Sequence, residues 1–222
     1  GYSRRLHRFL AMSDKEGLLP LRFACRCGKV EGTASNAPFQ FLICNCDDCR
    51  DSIAHVCSKL DGKEDRSGTY SKYVDEYGGV ATPTFWKSEV QIKQGLELLE
   101  GYIMVKNSEL VRFFAKCCNT PICFSHRQAP SIAVLAANFD AKSRQRLGKP
   151  SKRIMTKHAL KEPPSDPPVI AGFGLGFICL LLKFICCCCC YASERKANPV
   201  PYPDTPVLVT RVWEIWVSKK QD

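Results

Sequence analysis

The sequence predicts a mainly β domain with a C-terminal apolar helix, and three observations carry that expectation. Short apolar runs recur between residues 21 and 140, separated by Gly, Asn, Pro and charged residues. Most of the 15 cysteines gather in clusters rather than scattering. Residues 169–191 form an apolar stretch interrupted by Lys183. A chain of 222 residues has room for one domain whose core needs no covalent staples. With 45% hydrophobic and 24% charged residues, wholesale disorder is excluded. The formal charge of +10 fits an acidic partner.

The elements follow in order. Residues 1–19 form an N-terminal extension, opening on Gly1 and carrying Arg4, Arg5 and Arg8 among Leu6, Phe9 and Leu10. That mix has the basic, mildly amphipathic character of a transit-peptide tail, but a frayed terminus is the preferred reading. Residues 20–140 are the β-rich domain, with strands expected at 21–24, 39–43, 90–92, 110–114 and 132–135. Residues 96–105 read as two strand pieces about a turn at Gly101, and 51–83 as a helix start running into a long loop. Residues 141–161 hold eight Lys or Arg and no acid, so 141–168 is expected to be a basic, Pro-rich linker. An apolar Cys-rich helix is expected over 169–192, then a Pro-rich tail with a terminal strand over 193–222.

The cysteines suggest chemistry. An odd count, with an adjacent pair and a run of five at 186–190, does not fit a secreted disulfide framework. Metal thiolates in a reducing compartment fit better, and cytoplasm is the default location, with a membrane surface or an organelle as alternatives. In Cys25-Arg26-Cys27-Gly28 an extended backbone sends alternate side chains to one face, so Cys25 and Cys27 can reach one ion. Cys46 and Cys49 have the C-x-x-C spacing of a turn folded around zinc, and Cys44 adds a third thiolate. That leaves one position of a tetrahedron for water, substrate or another residue. Cys117 and Cys118, with Cys123 behind them, form the third cluster. Polar Asn45, Asp47, Asp48 and Arg50 between the thiols argue against buried apolar packing, whereas isolated Cys57 and Cys123 read as core thiols.

These stretches together resemble the glutathione-dependent formaldehyde-activating enzyme family, whose domain centromere protein V shares. The resemblance rests on Cys25-Arg26-Cys27-Gly28-Lys29-Val30, on Cys44-Asn45-Cys46-Asp47-Asp48-Cys49-Arg50 and on Arg112-Phe113-Phe114-Ala115-Lys116-Cys117-Cys118-Asn119-Thr120-Pro121-Ile122. It covers about 120 residues. It implies a small zinc-stabilised β-sandwich of the Mss4-like, tent-shaped kind. It also implies a structural zinc on Cys25, Cys27 and Cys118, and a reactive zinc on the catalytic trio Cys44, Cys46 and Cys49. Where the family carries the first cysteine of its third cluster this chain has Ala115, and Cys117 is the residue available to complete the site. Adjacent cysteines meet one ion only if the backbone bends sharply. Asn45 and Asn119 stand where the family commonly has His and Gly.

The activity implied is that of a carbon–sulfur lyase acting on a glutathione–aldehyde adduct, with an open Cys₃ zinc as Lewis acid for the thiolate. Arg50 and Arg26 are the candidates to meet the peptide's carboxylates. His55 or Cys57 would close the site if it were merely structural. No Ser–His–Asp set, phosphate loop or paired-carboxylate motif competes, and the glycines at 172, 174 and 176 have the wrong spacing for a nucleotide loop. The rival reading is a non-catalytic zinc module that binds membrane or nucleic acid through its basic and apolar C-terminal portion. For 169–191 an interfacial or docked helix is preferred to a membrane span, because three glycines weaken it. The basic stretch lacks the interleaved aromatics that stack single-stranded bases, which lowers the nucleic-acid option.

Overall fold

The computed structural model describes residues 19–60, 66–172, 174, 182 and 197–209. The N-terminal extension, the Cys186–Cys190 run and most of the apolar segment and terminal strand expected from the sequence lie outside them. Among the described residues the chain is mainly β, in two sheets. Strands β1 (Leu21–Ala24), β2 (Glu31–Ala34) and β5 (Val90–Gln94) form an antiparallel sheet in the order β1-β2-β5. The larger sheet takes β3 (Gln40–Cys44), β4 (Val80–Trp86), β6 (Leu99–Ile103), β7 (Leu110–Ala115), β8 (Thr120–His126) and β9 (Ser131–Val134). It is extended by β10 (Lys152–Ile154), β11 (Val169–Ile170) and β12 (Val207–Leu208), in the order β11-β10-β3-β4-β9-β8-β7-β6-β12. The helices are α1 (Asp47–Ser58), α2 (Arg66–Tyr73) and α3 (Ala141–Arg146).

The period-two alternation of β7 explains the layering. Val111, Phe113 and Ala115 join Leu21, Phe23, Val30, Phe85, Ile122 and Phe139 in the core between the sheets. Phe114 points the other way and packs with Val56 of α1, Tyr102, Met104 and Val209. Burying a side chain such as Phe113 or Phe114 stabilises the fold by about 2–3 kcal/mol before entropy is counted. Helix α1 covers this second face. Ile53 and Cys57 close a further cluster with Leu60, Tyr73, Val80 and Leu135. Asp47 and Asp48 in its first turn suit the positive end of the helix dipole.

Four expectations need correction. Residues 51–83 are not one long loop: α1 begins at Asp47, α2 follows, and β4 starts at Val80. Gly101 is no turn, because β6 runs through it as a continuous strand, while 96–98 form a short 3-10 turn. Residues 141–168 are no free linker, and 169–170 are strand rather than helix. Strand β10 pairs in parallel with β3, and β11 with β10. The exposed edge of β3 offers unpaired backbone groups, and satisfying them draws in a segment with little apolar patterning. Among the described residues no helix is long and apolar enough to cross a membrane.

Candidate metal centres

Two groups of cysteines converge, each able to hold a metal ion, with all sulfur atoms of a group within 4.8 Å of one another. The first unites Cys25 and Cys27 from the β1–β2 turn with Cys117 and Cys118 from the β7–β8 turn, across more than 90 residues of sequence. Its Sγ–Sγ separations are 3.6 Å for Cys25–Cys27 and 3.9 Å for Cys25–Cys117. They are 3.5 Å for Cys27–Cys117 and 3.8 Å for Cys117–Cys118. Asn119 takes a left-handed φ of 49° in the turn that follows the two neighbouring cysteines. Gly28, at φ 77°, turns the other loop so that the Val30 N–H donates to Cys25 Sγ at 3.2 Å. Gly95 holds that loop from behind: a Cβ there would lie 2.2 Å from the Lys29 carbonyl oxygen.

Thr120 is a supporting residue that the sequence did not single out. Its buried hydroxyl accepts the Arg26 N–H at 3.1 Å and lies 3.1 Å from Cys118 Sγ. A Thr two residues past the cluster, at the head of a strand, is the signal that could have flagged it. Arg26 itself belongs here, its guanidinium donating to the Cys118 carbonyl at 3.0 Å.

The second group is Cys44, Cys46 and Cys49. Cys44 ends β3, Cys46 is the N-cap of α1 with β-region backbone, and Cys49 sits in the first turn. Cys44 and Cys46 sulfurs are 3.3 Å apart. Among the described residues no fourth Cys, His, Asp or Glu ligand atom joins the three. His55 packs against Tyr102 with the rings tilted and their centroids 5.2 Å apart, and Cys57 is fully buried in the apolar cluster under α1. Neither of these expected closing donors joins the group. Cys123, also buried, packs in the core between the sheets.

The thiols of each group differ in how readily they lose a proton. Hydrogen bonds from Cys44 and Cys49 pull Cys46 down to about 3, with help from the Cys49 N–H and the positive charge of Arg112. Donating to Cys46 pushes Cys44 up to about 12, and Cys49 also rises. In the four-cysteine group burial works to raise Cys27. The Lys29 N–H and the thiols of Cys117, Cys118 and Cys25 outweigh it, bringing Cys27 to about 7. Each group therefore contains one sulfur poised as a thiolate.

The loop of the second group is fixed by buried polar bonds. Asn45 is fully buried, donates to the Tyr77 carbonyl at 2.7 Å, and gives its N–H to Ile154 O of β10 at 3.0 Å. Arg50, expected to meet a substrate carboxylate, is instead 5% exposed and committed inward. It donates to the Asn45 carbonyl at 2.9 Å and the His158 carbonyl at 2.5 Å, and it pairs with Asp47. That is a correction: this cation holds the cysteine loop against the 156–158 turn. The basic residue that does face the second group is Arg112 on β7, which shares a small cavity with Cys49, Ser52 and Tyr102.

The description "Family of unknown function (DUF6151)" matches residues 17–207. The chain belongs to that family. No curated protein matches this DUF6151 chain. Among solved structures, a Rhodobacter sphaeroides protein is similar at 16% identity and a TM-score of 0.38, the match covering 59% of this chain and 97% of that one.

Proposed function

We propose that the protein binds two zinc ions, one structural and one reactive, and acts as a carbon–sulfur lyase on adducts of a small thiol such as glutathione with an aldehyde. The donor chemistry supports zinc. Four sulfurs on a tetrahedron with zinc–sulfur bonds of about 2.3 Å stand about 3.8 Å apart. The Cys25, Cys27, Cys117 and Cys118 sulfurs are separated by 3.5 to 3.9 Å along the four pairs given above. Thiolate donors and tetrahedral geometry favour zinc over harder cations.

One observation carries the catalytic reading: three converging cysteine sulfurs at a helix N-terminus with no fourth protein donor among the described residues. A closed structural site needs four ligands, while a reactive one keeps a position for exchange. When bound, zinc there would supply a Lewis acid that keeps an incoming thiol deprotonated at neutral pH. The chain's own residues hold the site in shape: Asn45 and Arg50 fix the loop, and Tyr102 is held by its hydroxyl donating to Ser52 O at 3.0 Å. The reaction is redox-neutral: the adduct's hydroxyl gives up a proton, the C–S bond breaks with its electron pair going to sulfur, and the aldehyde departs. The reading takes the fold as the tent-like one of the formaldehyde-activating family.

The test is metal analysis joined to an adduct assay. The purified chain is expected to carry two zinc equivalents and to accelerate formaldehyde release from its glutathione adduct. Cys46→Ala is expected to carry one equivalent and to lose the acceleration. A native preparation with less than one zinc, or Cys46→Ala with unchanged metal, overturns the assignment.

A further inference from the structure

Arg112 as a residue is 7% exposed, and among the described residues its side chain has no hydrogen bond or ion pair. Burying a charge is costly unless an opposite charge or bound ligand answers it. Strand alternation puts Arg112 on the same face of β7 as Phe114, under α1. There it lines a cavity of about 20 Å³ with Cys49, Ser52 and Tyr102, room for about one water-sized group. The other buried arginines differ: Arg50 is bonded to Asn45, His158 and Asp47, and Arg153 pairs with Asp75 at 2.7 Å. The Tyr102 hydroxyl donates to Ser52 O and leaves the cavity's donors to Arg112.

We propose that Arg112 is the anion-binding residue of the three-cysteine centre, making its open position select a thiolate over a neutral ligand. This rests on the reading of that centre as a metal site with an exchangeable position. Charge counting gives the reason. Three thiolates around a divalent ion sum to −1, and a further anion makes −2, which a buried site resists. The positive guanidinium brings that total back to −1, and its free N–H groups give the incoming anion charge-assisted hydrogen bonds. The size of the cavity restricts what touches Arg112 to a single small group. The N-terminus of α1 adds partial positive charge on the same side.

The experiment loads the full chain with Co²⁺ and titrates it with 2-mercaptoethanol, then separately with azide and with imidazole, following the cobalt absorption. In the wild type the sulfur-to-cobalt band is expected to grow and saturate with thiol, and azide is expected to bind more tightly than imidazole. In Arg112→Met thiol binding is expected to weaken by about 10- to 100-fold, the scale of a lost charge-assisted bond. Arg112→Lys, which keeps the charge without the fork, is expected to fall between the two. Thiol binding by a folded Arg112→Met that matches the wild type overturns the role of Arg112 and leaves the open centre standing. No thiol response in the wild type overturns the open centre itself, and this inference with it. Should Arg112→Met fail to fold, the wild-type comparison decides alone: preference for imidazole over azide refutes an anion-selecting arginine.

Discussion

The two cysteine groups use one element type under different constraints. The four-cysteine group ties the turn between β1 and β2 to the turn between β7 and β8, so each of its turns is anchored by a different sheet. The three-cysteine group is local, built within six residues at a strand end and a helix start. A long-range group cross-links the fold and is expected to stabilise it. A local one crosses little chain and adds little to the closure of the fold. What the local group has instead is a helix terminus and a buried arginine directed at it. The difference teaches that sulfur count alone does not assign a role; what each group connects does.

The largest expected effect tests this division. Cys117→Ser is expected to lose the long-range ion and lower stability by on the order of 4–5 kcal/mol, the scale of losing a structural metal. Chemical denaturation with metal analysis reads both, and an intact two-metal protein with Cys117→Ser breaks the assignment of Cys117. Cys46→Ala is expected to lose the other ion while costing only about 1–2 kcal/mol. Equal losses for the two variants would erase the distinction between the groups. Gly95→Ala forces a Cβ onto the Lys29 carbonyl behind the Cys25 loop in a left-handed conformation. It is expected to destabilise by about 1–3 kcal/mol, seen as a lower Tm, with the three-cysteine group keeping its metal. Thr120→Val removes the hydroxyl beside Cys118 and is expected to weaken metal binding at that group alone by about 10-fold, measured by competition with a chromophoric chelator.

The smallest effect concerns His55, which sits on α1 beside Tyr102. Burial, aided by the charge of Lys59, lowers its pKa to about 4. The folded chain therefore binds the proton more weakly than the unfolded one. Stability held by the neutral ring is full above the ordinary histidine range and declines as pH falls from about 6.5 toward 4. An NMR titration of the His55 ring is expected to give a midpoint near 4; one near 6.5 would mean that the ring is not buried beside Tyr102.

Much of the sheet was legible because its strands carry local signals. Strand β1 has the expected bounds, and β7 differs from its expected range by one residue at its end. Helix α1 was placed late because its N-cap is a cysteine, and the C-x-x-C spacing reads first as a metal turn. Asp47 and Asp48 in the first turn were the overlooked sign. Helix α2 escaped notice because only Tyr73 of its eight residues is buried, so no apolar stripe marks it. Strand β10 is short and basic, and nothing in its own residues announces a partner.

The sequence by itself determined which residues have metal-binding chemistry, since thiol spacing within each cluster is a local property set by a few backbone bonds. The tertiary structure alone decided that Cys117 completes the first group with Cys25, Cys27 and Cys118, that Arg50 turns inward, and that Arg112 faces the second group. Those outcomes depend on sheet register and on which face of a strand meets α1. Pairing energies between distant segments fix both, and no local pattern encodes them.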